Sequence, residues 1–225
     1  MGQKMTREIQ YQDQVELKHK KGLTRLGLTT NQVWHDDPRR LLFILARYKF
    51  VAKMLIGKKR VLEVGCGDAF GARIVLQEVN SLVTVDFDPV FVEDVNERME
   101  EKWSFECRLH DMLSGPLDDE FDAAYSLDVL EHISREHEDV FLENIVSSLK
   151  DEGILIVGTP SLQSQKHASE ASRIGHVNCK DEEDLRRLMK KYFNNVLIFS
   201  MNDEIVHTGF EKMAHYLFCV CCVVK

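Results

Sequence analysis

The segment that most constrains this chain is an apolar run that stops at two closely spaced glycines, Val61-Leu62-Glu63-Val64-Gly65-Cys66-Gly67. Its branched apolar residues predict a buried strand, because such side chains fit a pleated and covered surface. Gly65 and Gly67 then allow the backbone to turn sharply and to approach a ligand closely. Glu63 adds a carboxylate beside the turn, which suits a cationic group better than a phosphate. The segment therefore predicts a site for a nucleoside-type cofactor at the end of a strand.

Helical and strand patterns alternate along most of the chain, which predicts a parallel sheet covered by helices on both faces. After the glycines, strands are expected at 82–85, 105–109, 121–126, 154–157, 196–200 and 216–224, and helices at 72–79, 89–101, 135–150 and 180–191. The expected fold class is α/β with a Rossmann-like sheet. No linker-like stretch interrupts the pattern, so residues 1–225 are predicted to form one domain. Residues 1–57 form its N-terminal arm and helix, a candidate substrate lid.

The charge balance bears on the partners of the protein. Among 225 residues, 29 are Lys or Arg and 37 are Asp or Glu, which gives a formal net charge of −8. Such a charge repels polyanions, so no nucleic acid is expected as a partner. The sequence has no apolar run of the ~20 residues that a membrane span needs, and its polar N-terminus lacks a signal-peptide pattern. We therefore expect a cytoplasmic protein with no membrane partner, and the sequence leaves its oligomeric state open.

Polar residues follow four of the expected strands at their carboxyl ends, where sheets of this kind bind their ligands. The first group is the glycine turn itself, and the second is Asp86, whose carboxylate can accept hydrogen bonds from both hydroxyls of a ribose. In the third group, Asp111 could bind an adenine amino group and Met112 could pack on the ring. The fourth is the run from Ser126 to His132. Together, in this order, the four groups predict one cofactor site.

These residues resemble a known family. Glu63-Val-Gly-Cys-Gly-Asp68, Val85-Asp86, His110-Asp111-Met112 and the run Phe121–Ile133 (FDAAYSLDVLEHI) resemble the class I S-adenosylmethionine-dependent methyltransferases. Within that family the chain is most similar to the small-molecule branch that includes the ubiquinone-type O-methyltransferases. The resemblance covers about residues 55–200, and its most specific part is the run Leu-Asp-Val-Leu-Glu-His. It implies a seven-stranded, mostly parallel sheet with an antiparallel last strand, and S-adenosylmethionine as the cofactor.

The resemblance also implies which residues surround the methionine part of the cofactor. Glu63 would lie near its amino end, through water or backbone. Gly65 and Gly67 would face the methionine and the ribose. Ser126 or Leu127 would contribute backbone groups near the methionine.

On the nucleoside side, the resemblance implies that Asp86 holds the ribose hydroxyls and that Phe87 lies against the adenine. Asp111 and Met112 would frame the adenine ring.

Two histidines are candidates for acid–base catalysis. The sulfonium methyl is already a good electrophile, so a general base is needed only for a hydroxyl or a protonated amine acceptor. His132 occupies the Glu-His position after the fourth strand, and His176 lies where related enzymes close the substrate pocket. Either histidine could instead order its own loop. No metal site is predicted, because the acidic run 181–184 has the pattern of a solvated helix start.

The expected acceptor is a small molecule with oxygen ahead of nitrogen as the acceptor atom: a sugar or glycan precursor, a phenol or quinone, or a small acid. Methyltransferases that act on the amines of nucleic acid bases usually carry an Asn/Asp-Pro-Pro-aromatic run after the fourth strand. This chain has Ser126-Leu127-Asp128-Val129 there.

Two other classes of protein stay open. An NAD-dependent oxidoreductase would share the first strand, the glycine turn and Asp86, but it does not explain the run Leu127–His132. The glycine pattern of NAD-binding proteins also requires a small residue at the position that Phe70 occupies here. A non-catalytic S-adenosylmethionine-binding protein is the second alternative, because the displacement needs no invariant nucleophile.

Overall fold

The computed structural model describes residues 5–225, in which eight strands alternate with eight helices. The strands are β1 (Arg60–Val64), β2 (Ser81–Asp86), β3 (Glu106–Leu109), β4 (Phe121–Leu127), β5 (Leu149–Pro160), β6 (Phe193–Asn202), β7 (Ile205–His207) and β8 (Tyr216–Val224). The helices are α1 (Gln12–Lys21), α2 (Leu28–Asp36), α3 (Arg40–Met54), α4 (Ala72–Leu76), α5 (Pro89–Glu97), α6 (Glu138–Ser147), α7 (Glu170–Gly175) and α8 (Glu182–Met189). Short 3₁₀ helices lie at Ile9–Tyr11, Glu101–Trp103, Leu130–His132, Leu162–His167 and Glu211–Met213. Residues 1–4 of the N-terminal arm lie outside the described residues.

All the strands belong to one sheet in the order β3-β2-β1-β4-β5-β8-β6-β7. Strands β1 to β5 pair in parallel, and β8 runs antiparallel to both β5 and β6. The α/β class and the antiparallel last strand are confirmed. The strand count of seven is wrong, because the short strand β7 forms a hairpin with β6. The Asp203-Glu204 turn of that hairpin contains no glycine, so the sequence carries no strong hairpin signal there.

Two hydrophobic cores cover the two faces of the sheet, because successive side chains of a strand point to opposite faces. Leu62 and Val64 of β1 belong to one core, together with residues of α6 and α8. Val61 belongs to the other core, together with residues of α3 and α4. Burying one leucine of this kind contributes about 1.5–3 kcal/mol to folding. The continuous apolar run of β1 therefore reflects a central strand that is covered on both sides.

The polar segment 159–180 contains the 3₁₀ helix Leu162–His167 and helix α7. Ser161 pairs with Lys180 in an isolated parallel bridge, which closes the segment at its base. Ser161 also accepts a hydrogen bond from the Ser164 amide, and Ser169 accepts one from the Ser172 amide. Serine side chains thus begin both short helices, as serine commonly does at a helix N-terminus.

None of the described helices is both long enough and apolar enough to cross a membrane.

Candidate functional site

The glycine turn follows β1 directly and lies against strand β2. The backbone N–H groups of Gly65 and Cys66 both donate to the carbonyl oxygen of Val85, at 2.8 and 3.1 Å. Gly65 has a φ of 72° and Gly67 a φ of 51°, values that an L side chain rarely adopts. A Cβ on Gly65 would lie 2.4 Å from Cγ2 of Val129, whereas a Cβ on Gly67 would meet nothing within 4 Å. The turn is therefore packed on one side and open on the other, as a surface for a ligand must be.

Asp86 ends β2 and is tied to the glycine turn. Its Oδ2 accepts a hydrogen bond from the Gly67 amide at 2.8 Å, and its Oδ1 accepts one from the Asp88 amide at 3.0 Å. A carboxylate oxygen can accept two hydrogen bonds, so each oxygen keeps one acceptor position for a hydroxyl of a ligand. Phe87, the next residue, is 72% exposed. Its aromatic face is thus available to a planar ring.

The third strand end gives one exposed and one buried residue. Asp111 is exposed, and its Oδ1 accepts a hydrogen bond from the Leu113 amide at 2.8 Å. Met112 is only 3% exposed and packs in the core. Asn144 of α6 holds its backbone by donating to the Met112 carbonyl oxygen at 2.6 Å. Asp111 therefore presents an exposed carboxylate to a ligand, whereas Met112 packs in the core beneath the end of β3.

Ser126 and Leu127 can offer a ligand only their backbone groups. Both side chains are buried, and the Ser126 hydroxyl donates to the Val64 carbonyl oxygen at 3.1 Å. The next residue, Asp128, has a φ of 57°, so the chain leaves β4 in a left-handed turn. The turn places Val129 against Gly65 and begins the 3₁₀ helix that carries Glu131 and His132.

Glu63 lies inside the protein with both carboxylate oxygens engaged. The hydroxyl of Tyr48 donates to Oε1 at 2.8 Å, and the hydroxyl of Tyr125 donates to Oε2 at 2.9 Å. Burial raises the pKa of Glu63 to about 8, although the two tyrosine hydrogen bonds act in the opposite direction. Tyr48 also packs against Gly71, where a Cβ would lie 2.2 Å from its ring. Glu63 therefore reaches any ligand only through this tyrosine pair or through its own backbone.

The raised pKa of Glu63 predicts a pH-dependent stability. The folded state holds a proton on this carboxyl between its usual pKa of 4.5 and the folded value of about 8. This contribution is fully present below pH 4.5 and is lost as the pH rises through about 8. Between pH 6 and 8 the loss amounts to about 2 kcal/mol. We expect Glu63→Gln, which stays neutral, to lose correspondingly less unfolding free energy over this interval than the wild type does in chemical denaturation. The exposed variant Glu152→Gln should follow the wild type, and parallel pH profiles for all three proteins would refute the assignment.

Helix α3 contributes an arginine to the same edge of the sheet. Nη1 of Arg47 donates to Oδ2 of Asp128 at 2.6 Å, and its guanidinium lies 3.8 Å from the centroid of the Tyr216 ring. The sequence pattern of α3 did not reveal Arg47 or Tyr48 as site residues, since both lie within an apolar helical repeat. The charge of Arg47 within this apolar repeat was the signal in the sequence that could have indicated a site residue.

Glu131, His132 and His176 come together beside this arginine. The rings of His132 and His176 meet edge to face, with centroids 5.1 Å apart. One ring nitrogen of each histidine and one carboxylate oxygen of Glu131 all lie within 4.8 Å of one another. The backbone amide of Asn178 donates to the Glu131 carbonyl oxygen at 3.0 Å and so fixes the segment that carries His176. The structure thus brings together both histidines that the sequence singled out.

Burial is the main cause of the pKa shifts of Glu131 and His176. Glu131 is 1% exposed, and burial followed by the charge of Asp128 raises its pKa to about 8. Arg47 and the Thr159 hydroxyl, which donates to Oε2 at 3.0 Å, oppose that rise. Burial also lowers the pKa of His176, with a smaller effect from His132. A neutral His176 is therefore favoured, with a ring nitrogen that can accept a proton or bind a cation.

The N-terminal arm docks onto the glycine turn. The Thr30 amide, in the first turn of α2, donates to Oδ2 of Asp68 at 2.7 Å. The Phe70 amide donates to the other oxygen at 3.2 Å. A Cβ on Gly27 would lie 2.5 Å from the Asp68 side chain, so only glycine allows this approach. A carboxylate at a helix N-terminus is favourable because the helix dipole is positive there. The sequence did not predict this contact, which joins distant parts of the chain.

The sheet order, with β8 antiparallel between β5 and β6, is that of the Rossmann-like methyltransferase fold. Residues 62–157 match the family model described as a methyltransferase domain. The match spans less than half of the chain, and the similarity to S-adenosylmethionine-dependent methyltransferases indicates S-adenosylmethionine as the cofactor.

Two curated proteins from two strains of Mycobacterium tuberculosis are similar in sequence, each named "Probable S-adenosylmethionine-dependent methyltransferase". Each is 28% identical over 102 residues, which cover 45% of this chain and 35% of the relative. The chain therefore matches about a third of the length of these relatives.

Solved structures share the fold. The N-methyltransferase NodS from Bradyrhizobium japonicum, in complex with S-adenosyl-L-homocysteine, aligns with a TM-score of 0.60 at 17% identity, covering 84% of this chain and 89% of NodS. A methyltransferase from Thermotoga maritima, described as a possible histamine N-methyltransferase, aligns with a TM-score of 0.66 at 17% identity, covering 87% and 95%.

Proposed function

We propose that this protein transfers the methyl group of S-adenosylmethionine to an oxygen atom of a small-molecule acceptor. The observation that carries the proposal is the hydrogen bond between the Gly67 amide and a carboxylate oxygen of Asp86. That oxygen can accept a second hydrogen bond, from a hydroxyl of the ribose. The open space at Gly67 lets the cofactor approach bare backbone. In this arrangement Asp86 binds the ribose, Phe87 and Asp111 lie around the adenine, and the methionine part extends past the backbone of Ser126 and Leu127.

The reaction needs alignment more than it needs a nucleophilic residue. The acceptor oxygen attacks the methyl carbon in line with the sulfur, so the O–C bond forms as the S–C bond breaks and S-adenosylhomocysteine leaves. Holding the reactants in this geometry can supply about 7–11 kcal/mol of the barrier. Removal of the acceptor proton by a positioned base adds about 10²–10⁴-fold. In our proposal His132 and His176 lie at the acceptor end, because His132 follows strand β4, which pairs with β1 beside the glycine turn, and the ring of His176 packs against that of His132.

The N-terminal arm fits the role of a substrate lid. Its helix α2 is fastened to Asp68, at the edge of the glycine turn, and Trp34 on the same helix is 53% exposed. Helix α3 supplies Arg47 and Tyr48 to the other side of the site. In this proposal, residues of the arm cover the acceptor and help to exclude water.

A small-molecule acceptor is favoured over nucleic acid by the net charge of −8. The comparisons give no support to the NAD-dependent alternative. We infer oxygen rather than nitrogen as the acceptor atom from the resemblance to the ubiquinone-type branch.

Turnover tests the proposal. The protein is incubated with S-adenosylmethionine and a panel of sugars, phenols and small acids, with amines as a comparison set, and S-adenosylhomocysteine and the methylated products are measured by mass spectrometry. We expect product from an oxygen acceptor. Tight S-adenosylhomocysteine binding with no turnover on any acceptor would favour the non-catalytic alternative, and methylation confined to amines would contradict oxygen transfer.

The position of His176 predicts a separable effect on the acceptor. His176→Ala should lower kcat/KM for the acceptor by about tenfold, because a base or a binding group for the acceptor is lost. The affinity for S-adenosylhomocysteine should stay unchanged. His137→Ala, on the exposed loop before α6, is the matched control and should keep wild-type kinetics. An unchanged kcat/KM in His176→Ala would remove this histidine from the acceptor site.

A further inference from the structure

We propose that Glu131, His132 and His176 bind a divalent transition-metal cation at the acceptor end of the site. This departs from the sequence-based expectation of no metal. The acceptor's role rests on the proposed function, but the metal site itself is testable without turnover.

The three side chains converge from two separate parts of the chain. Glu131 and His132 lie on the 3₁₀ helix after β4, and His176 follows helix α7. Their candidate ligand atoms all lie within 4.8 Å of one another. Bonds from Zn²⁺ to histidine nitrogen or carboxylate oxygen are about 2.0–2.2 Å long. Two such ligand atoms on one cation lie about 3.4 Å apart, so each pair of atoms would have to approach by about 1.4 Å at most.

The hydrogen bonds around the histidines already select the form that binds metals. Nδ1 of His132 lies 2.9 Å from the Gly175 carbonyl oxygen, and Nδ1 of His176 lies 2.9 Å from Oε1 of Gln165. A carbonyl oxygen can only accept, so each Nδ1 carries the proton and each Nε2 keeps its lone pair. Metal-binding histidines are usually oriented in this way, with the second ring nitrogen donating to a carbonyl or a carboxylate. Two independent histidines share this arrangement here.

The carboxylate of Glu131 also fits a ligand. It is buried, and Thr159 fixes its orientation through the hydrogen bond to Oε2. The nearby guanidinium of Arg47 forms its ion pair with Asp128 rather than with Glu131. Buried carboxylates are normally paired with a cation or bound to a metal. A divalent ion bound beside this carboxyl would favour its ionised form, because an opposite charge stabilises the carboxylate.

The ligand set indicates the class of cation. Two imidazole nitrogens and one carboxylate oxygen suit Zn²⁺, Co²⁺, Fe²⁺ or Mn²⁺, whereas Ca²⁺ and Mg²⁺ prefer oxygen ligands throughout. Three protein ligands leave coordination positions open, as catalytic metal sites do. An oxygen of the acceptor could fill one of them, which would hold that oxygen close to the transferable methyl.

Titration with Co²⁺ tests the site directly. Optical spectra of the protein should show Co²⁺ d–d absorption that saturates near one equivalent, and the absorption should disappear when Zn²⁺ displaces the Co²⁺. Coordination by cysteine would instead give strong thiolate charge-transfer bands, so the spectrum separates the proposed site from the six free thiols. His132→Ala, His176→Ala and Glu131→Gln should each weaken Co²⁺ binding at least about tenfold. His137→Ala should bind Co²⁺ as the wild type does.

S-adenosylhomocysteine binding and thermal unfolding are measured on the same samples to report on the fold. His132 is exposed, so His132→Ala is expected to fold even where Glu131→Gln does not. Wild-type Co²⁺ affinity in a folded His132→Ala or His176→Ala variant would overturn the metal site, as would a spectrum of thiolate bands alone. Neither result would affect S-adenosylhomocysteine binding or methyl transfer, so the proposed function would stand. Saturable Co²⁺ binding without any turnover would count against the proposed function alone.

Discussion

Gly67→Ala is expected to weaken S-adenosylhomocysteine binding by about 1–3 kcal/mol, or about 5- to 150-fold, while the protein still folds. The backbone of Gly67 has a φ of 51°, close to the left-handed region that alanine adopts at a cost of about 1–2 kcal/mol. No protein atom lies within 4 Å of the new methyl group. The methyl would therefore project into the space that the account assigns to the cofactor, where overpacking costs about 1–3 kcal/mol. Isothermal titration calorimetry measures the affinity, and chemical denaturation measures the stability.

Gly65→Ala is the matched control, because its new methyl group would clash inside the protein and so lower the folding stability. Its φ of 72° is also left-handed, but the new Cβ would lie 2.4 Å from Cγ2 of Val129. Backbone strain and this clash together should cost about 2–4 kcal/mol of folding stability. If Gly67→Ala binds S-adenosylhomocysteine as tightly as the wild type does, the cofactor does not lie against Gly67.

Asp86→Ala should weaken S-adenosylhomocysteine binding by about 1–3 kcal/mol, because charge-assisted hydrogen bonds to two ribose hydroxyls are lost. The same change leaves the Gly67 amide without its acceptor, so the glycine turn loses a fixed point as well. Calorimetry with S-adenosylhomocysteine measures the first effect. A parallel titration with S-adenosylhomocysteine analogues that lack the ribose hydroxyls should show a smaller difference between the variant and the wild type, because only the effect on the glycine turn is left.

Asp88→Ala provides the control for Asp86. Asp88 is also an aspartate at this edge, but its Oδ1 caps helix α5 by accepting from the Val90 amide at 2.9 Å. Its removal should cost about 0.5–2 kcal/mol of stability and leave cofactor affinity intact. Equal loss of affinity in the two variants would mean that Asp86 acts through the fold rather than on the ribose.

The sequence predicted most of the fold because the signals there are local. The apolar run of β1 is buried on both faces, and the alternation of strands and helices follows from patterns a few residues long. Strand β7 was missed because it has only three residues and a turn without glycine. The extra length of β5 was missed because Lys150, Asp151 and Glu152, near its start, are exposed and charged.

Part of the candidate site was also predicted, since Asp86, Asp111 and His132 lie at or just after the ends of parallel strands, and those carboxyl ends share one edge. The contact between Asp86 and Gly67 could not be predicted as a hydrogen bond, although both residues were named. The tyrosine pair on Glu63 and the docking of Thr30 onto Asp68 depend on how distant segments pack. Tyr48 in particular fits an apolar helical repeat as well as a polar role, so no local pattern distinguishes the two.

The most direct test of the central claim is calorimetric titration of the wild-type protein with S-adenosylhomocysteine and, separately, with NAD. We expect one equivalent of S-adenosylhomocysteine to bind at a site that Gly67→Ala and Asp86→Ala both weaken, and we expect no binding of NAD. Binding of NAD without any binding of S-adenosylhomocysteine would contradict this claim.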